Sequence, residues 1–83
     1  MTGAELADRL RARQLLEPIE AIAAEHHVTM GEMASRTRGY AHVARARHDA
    51  FRYLRKAGLS YPAIGRLFDR DHTTVMAAVN RSA

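Results

Sequence analysis

Apolar positions recur along the 83 residues at three- and four-residue intervals, and no stretch alternates with the period of two that a half-buried strand requires. The chain is expected to be all-α. Leu6 and Leu10 fall in a first helix, expected from about Ala4 to Leu16. Pro18 suits the first turn of a second helix, where a missing N–H costs nothing, and Ile19, Ile22 and Ala23 are spaced for one buried face. That helix should fade at His26-His27-Val28. Thr29-Met30-Gly31-Glu32 has the Thr-x-x-Glu form of a capping box, in which each side chain satisfies a backbone N–H of the other residue. A short helix through Met33 and Ala34 should follow, then a basic loop from Ser35 to Gly39 carrying Arg36 and Arg38.

A long helix is expected from Tyr40 to Ala57, with Val43, Ala46, Ala50, Leu54 and Ala57 as its apolar stripe and Arg45, Arg52 and Lys56 on the far face. Arg47 falls at the edge of the stripe, which predicts a stem along the core and a head at the rim. Gly58 takes the position just past the helix end, where a left-handed backbone is needed. Ser60 then caps a helix with Tyr61 and Pro62 in its first turn and Ala63, Ile64, Leu67 and Phe68 on its buried side. Asp69-Arg70-Asp71 reads as a tight turn. Asp71 caps the last helix, which opens on His72, Thr73 and Thr74 and buries Val75, Ala78 and Val79. Two short helices joined by a tight turn and propped on a longer one describe a helix-turn-helix within a small helical bundle.

Charge sharpens this picture. Residues 1–35 hold three arginines against six carboxylates, a net −3, whereas residues 36–83 hold nine arginines and Lys56 against three aspartates, a net +7. A guanidinium grips phosphate and guanine edges as a fork, so a polyanionic partner for the C-terminal part is the first expectation. In a helix-turn-helix the start of the second helix meets base edges in the major groove. Thr73 and Thr74 offer a hydroxyl and a methyl, His72 a ring N–H, and Asp71 an acceptor for a cytosine amino group. The same residues also compose an ordinary helix start, which is the plainer explanation. No apolar run approaches the ~20 residues of a membrane span, there is no cysteine, and a cytoplasmic, nucleoid-associated protein is expected.

Three motifs, "VARARH" (Val43 to His48), "LSYPAIGRLF" (Leu59 to Phe68) and "RDHTTV" (Arg70 to Val75), resemble the C-terminal DNA-binding domain of the bacterial replication initiator DnaA. The resemblance runs from about Ile19 onward, and it divides the chain into a helical extension, residues 1–17, and a helix-turn-helix domain, residues 18–83. It implies recognition of short asymmetric duplex boxes of the TTATNCACA type, from the major groove by the last helix and from the minor groove by the basic loop. Asp71, His72, Thr73 and Thr74 match the base-reading segment. Arg47 matches an arginine that holds the DNA, and replacing it is expected to weaken binding to all DNA and flatten its salt dependence. Arg36, Arg38, Arg45, Ser60 and Arg70 are the further candidates for phosphate or minor-groove contact, with His48 where the family often has glutamine. Two features depart from the family pattern. Asp69 stands in a turn one residue shorter than the usual glycine pair, and Gly39 stands where the minor-groove arginine is usual, so that Arg38 or Arg36 serves instead.

No phosphate-binding loop of the Gly-x-x-x-x-Gly-Lys-Ser/Thr type occurs, and no nucleotide, metal or other cofactor is expected. His26 and His27 are adjacent and diverge, and no His-Glu-x-x-His is present, which argues against an enzyme. The expected role is regulation of transcription, with origin binding, as a fragment of the initiator or a competitor to it, as the alternative. A protein-interaction module is a further alternative, since Leu6, Leu10, Ile19 and Ile22 within residues 1–24 offer a surface for a partner or a second copy. Arg9, Arg11 and Arg13 read as a solvated face. RNA is disfavoured because the narrow A-form major groove excludes a helix, and Tyr40, Tyr53 and Tyr61 read as helix-packing residues.

Overall fold

The computed structural model describes residues 1–36 and 40–82. Among them lie six helices and no strand: α1 (Gly3–Ala12), α2 (Leu16–Glu25), α3 (Met30–Ala34), α4 (Ala41–Lys56), α5 (Tyr61–Phe68) and α6 (His72–Ser82). The expected capping box starts α3, with the Glu32 N–H donating to Thr29 Oγ1 at 3.0 Å and the Thr29 N–H to Glu32 Oε1 at 2.9 Å. Thr2 and Glu5 form a second one at 3.1 and 3.0 Å, so α1 begins at Gly3.

The single helix expected from Ala4 to Leu16 is interrupted. Gln14 adopts a left-handed conformation with φ 61°, and the Leu15 N–H turns back to the Leu10 carbonyl at 2.8 Å. His27 closes α2 in the same way at φ 58°, and Gly58 closes α4 at φ 104°. Only the last of these three stops has the residue type that announces it.

Helix α4 is the spine, packing against α2, α3, α5 and α6. Val43, Ala46, Ala50 and Leu54 are buried as the stripe requires, whereas Ala57 is the exposed C-cap. Phe51 joins them, meeting Phe68 edge to face with centroids 4.9 Å apart, a favourable aromatic geometry. Ile64, Phe68 and Val75 complete the core from the C-terminal side.

Leu6 and Leu10 are fully buried in that same core. Helix α1 reaches it by a backbone-to-backbone approach: a Cβ on Gly3 would stand 2.6 Å from the Gly31 nitrogen. With Ile19 also buried and Ile22 half-buried, the leucines and isoleucines of residues 1–24 face their own chain rather than a free docking surface. The tyrosines also differ from expectation. Tyr40 is 73% exposed and stacks on His42, Tyr53 is exposed, and Tyr61 is half-buried beneath the Arg55 guanidinium.

A polar link ties α2 to α4. His26 Nε2 donates to Asp49 Oδ2 at 2.7 Å, and Arg52 Nη2 donates to the other carboxylate oxygen. Burial alone would raise the Asp49 carboxyl, but the hydrogen bonds from His26 and Arg52 outweigh it and hold the group below the ordinary Asp value. Stability from this link is fully present above the unfolded value of about 3.9 and disappears as pH falls through the lower native value. Asp49→Asn should therefore be less stable than wild type at neutral pH and should show a shallower loss of stability as pH falls below about 4, measured by urea denaturation at a series of acid pH values. Equal acid slopes for the two proteins would contradict this assignment. No helix among the described residues is long and apolar enough to cross a membrane.

Candidate nucleic-acid interface

Ser60 opens α5 by accepting the Ala63 N–H at 3.2 Å, with Pro62 in the first turn. The helix stops at Asp69, which is left-handed at φ 55° and ψ 48°, and the Arg70 N–H returns to the Gly65 carbonyl at 2.8 Å. Aspartate tolerates this conformation better than most residues, which is how the turn closes without a glycine. The glycine requirement sits one turn earlier. A Cβ on Gly65 would lie 2.4 Å from the Arg70 carbonyl oxygen and 3.4 Å from the His72 nitrogen.

Asp71 starts α6. Its backbone carbonyl accepts from Thr74 and Val75, and its Oδ1 accepts the Thr73 N–H at 2.8 Å and the Thr73 hydroxyl at 2.6 Å. These two Thr73 bonds hold the Asp71 carboxyl below its ordinary value, so it stays ionised. His72 Nδ1 stands 3.6 Å from the same oxygen. Asp71, His72, Thr73 and Thr74 are all exposed and lie together at the free start of the helix, as the sequence pattern required.

The arginines are distributed differently. Arg47 is only 7% exposed, and its head turns inward rather than to a rim. Nε donates to the Met33 carbonyl at 3.2 Å, and Nη2 to those of Glu32 and Ser35, each at 2.8 Å. These carbonyls close α3, so Arg47 acts as a C-terminal cap delivered from the neighbouring helix. Arg70 is half-buried; Nη1 donates to the Phe68 carbonyl at 2.9 Å and Nη2 to the Ser35 carbonyl. Arg36 stands 3.9 Å from Asp69 across the same seam. Burial pulls both Arg47 and Arg70 below the ordinary arginine value, helped at Arg70 by the neighbouring Arg47 and Arg36 and opposed by Asp69.

One carbonyl, that of Ser35, thus receives guanidinium donors from α4 and from the helix-turn-helix turn. This junction is what pattern reading missed, because a buried arginine bound to carbonyls leaves no trace in residue spacing. Arg45 is exposed on α4. His48 is half-buried; burial first, then Arg81, Arg52 and Arg47, lower its ring below the ordinary histidine value against the opposing Asp49, so it is neutral at pH 7. Arg38 lies outside the described residues. Among the described residues no group of three or more His, Asp or Glu side chains is placed to hold a metal ion.

A bihelical unit with an exposed polar helix start, carried on a long supporting helix, defines a helix-turn-helix DNA-binding module. Residues 17–81 match the family described as bacterial dnaA protein helix-turn-helix, and the chain belongs to that family, a binding module rather than a catalytic one. Among curated proteins, the chain is 46% identical to the chromosomal replication initiator protein DnaA of Gluconobacter oxydans (strain 621H). That alignment of 83 residues covers 92% of this chain and 17% of the relative, so the chain spans about a sixth of the relative's length. No solved structure matches the chain significantly.

Proposed function

We propose that the chain recognises a short asymmetric duplex box of the TTATNCACA type through α6 and acts on transcription where such boxes lie in promoters, in association with the nucleoid. The observation that carries the reading is the exposed cluster Asp71–Thr74 at the start of the second helix of the pair. The Thr73 hydroxyl donates its proton to Asp71, which leaves lone pairs and a methyl on an exposed side chain. Such a group accepts from an adenine or cytosine amino group or packs on a thymine methyl. His72 supplies a ring donor for guanine or phosphate.

Phosphate grip is assigned to Arg36, Arg45 and the Ser60 start of α5, with Arg38 from the basic loop. Arg47 and Arg70 hold Ser35, at the entry to the basic loop, against the turn, and His48 contributes as a neutral group. The name of the relative, a chromosomal replication initiator, favours a second reading in which the same box is met at a replication origin.

Selection of binding sites from random duplex DNA at near-physiological salt tests both readings. A TTATNCACA-like motif should emerge, and Thr73→Ala or His72→Ala should lose ~1–3 kcal/mol on that site with little change on random DNA. Equal losses on every sequence would remove Thr73 from base reading, and no enrichment at all would reduce residues 71–74 to a helix start.

A further inference from the structure

Helix α1 lies ahead of residues 17–81, which match the family model, and nothing above gives its arginines a role. Arg9, Arg13 and Arg66 line one shallow groove between α1 and α5, floored by Ala12, Ala63 and Leu67. Arg9 Nη1 donates to the Arg66 carbonyl at 2.8 Å, which pins its guanidinium to the back half of α5. Arg13, the residue that follows the last turn of α1, lines the same groove, which extends to Ala63 in the first half of α5.

All three arginines are exposed, no carboxylate lines the groove, and none of the three has an ion-pair partner among the described residues. Asp8 is bound to Arg11 at 2.7 Å, and Glu5, whose charge Arg9 influences, is committed to Thr2. Three arginines on an apolar-floored groove that no carboxylate lines offer positive charge and N–H donors to an anion.

The placement of the groove says which anion. On α5, Gly65 faces the turn and α6, whereas Ala63 and Leu67 face α1. At about 100° per residue, the exposed Pro62 and Arg66 fall between those two sides. The outer surface of α5 therefore runs unbroken from the reading end to the α1 groove. The first helix of such a pair crosses the DNA backbone.

We propose that the α1–α5 groove holds the phosphate backbone of duplex DNA beyond the box, making α1 part of the DNA-binding surface. The proposal rests on the DNA-binding reading above. Its consequence is a footprint longer than the box on one flank, with added affinity and no added sequence preference, because guanidinium–phosphate contacts carry none.

The test uses the full chain and two duplexes carrying the selected box, one with about ten flanking base pairs on each side and one trimmed to the box. A span of ten base pairs is about one helical turn of DNA. For Arg9→Gln/Arg13→Gln, anisotropy titrations across a salt series should show about a tenfold loss on the long duplex. The log–log salt slope should be shallower by about 1.8, at 0.9 per lost phosphate contact. On the trimmed duplex the variant and wild type should bind alike. Arg13→Gln alone, whose side chain makes no hydrogen bond among the described residues, should move in the same direction with a slope change of about 0.9. Unchanged affinity and slope on the long duplex would overturn the proposal, as would equal losses on both duplexes. It would also fall if both variants kept full DNA binding but lost binding to phosphatidylglycerol vesicles or to an acidic peptide. Wild type that binds neither duplex would instead defeat the DNA-binding reading itself.

Discussion

Replacing Gly65 with alanine is expected to lower the stability of the domain by about 3 kcal/mol, the upper end of what overpacking a well-packed site usually costs. Alanine favours a helix interior over glycine by roughly 1 kcal/mol, so propensity alone predicts a gain. The contact at the turn decides the sign. The new Cβ would stand 2.4 Å from the Arg70 carbonyl oxygen, a backbone atom that cannot rotate away as a flexible side chain would. Relief requires the turn to open, which moves Asp71 and the start of α6 with it. Gly31→Ala is the matched control, because its Cβ would meet nothing closer than Thr29 Oγ1 at 3.6 Å. That change should be neutral or stabilising by up to about 1 kcal/mol. Urea denaturation of the pair measures both, and Gly65→Ala unfolding at the wild-type midpoint would remove the close approach from the account of the turn.

The second large effect is expected at Arg47. Arg47→Met keeps much of the stem's packing but removes the donors to the Glu32, Met33 and Ser35 carbonyls. Hydrogen bonds from a charged group are worth about 1.5–3 kcal/mol, and buried acceptors left unmatched add to the loss, so a decrease of roughly 2–4 kcal/mol is expected. The effect on DNA should differ in kind from the loss of an exposed arginine. An arginine that touches phosphate takes about 0.9 from the log–log salt slope when it is removed. Arg47→Met should weaken binding with that slope nearly unchanged, since its head faces carbonyls, whereas Arg36→Gln should reduce the slope. Denaturation curves and salt-series titrations on the selected box separate the two cases. A slope for Arg47→Met that falls as far as that for Arg36→Gln would place the Arg47 head on the DNA.

The contrast between these two arginines also marks what could be read from the chain in advance. Features governed by neighbours in sequence were legible: the Thr29–Glu32 box, the Gly58 stop, the Ser60-Pro62 start and the Asp71 cap all depend on residues close together along the chain. The exposed polar start of α6, Asp71 to Thr74, was legible for the same reason. Features governed by distant packing were not. The break at Gln14 uses a residue that rarely takes left-handed backbone, so nothing local announces it, whereas α2 ends at His26-His27, where the sequence placed its fading. Phe51 lies off the expected α4 stripe, yet it is buried because α4 is enclosed by four other helices and needs a wider apolar arc than a surface helix. Arg47 sits inside that widened arc, which is why its head finds carbonyls instead of solvent.

The Ser35 carbonyl, which accepts from both Arg47 and Arg70, has a consequence for what kind of site the domain tolerates. It fastens Ser35, at the entry to the basic loop, and the turn ahead of α6 to one point, so in the proposed mode of binding the two would meet the duplex with a fixed angular phase. Each added base pair advances DNA by about 3.4 Å and turns it by roughly a tenth of a revolution. A rigid gauge of this kind fits one spacing between its two contacts. Sites with a base pair inserted between them should then be rejected as strongly as sites with wrong bases, with spacing acting as part of the sequence that is read.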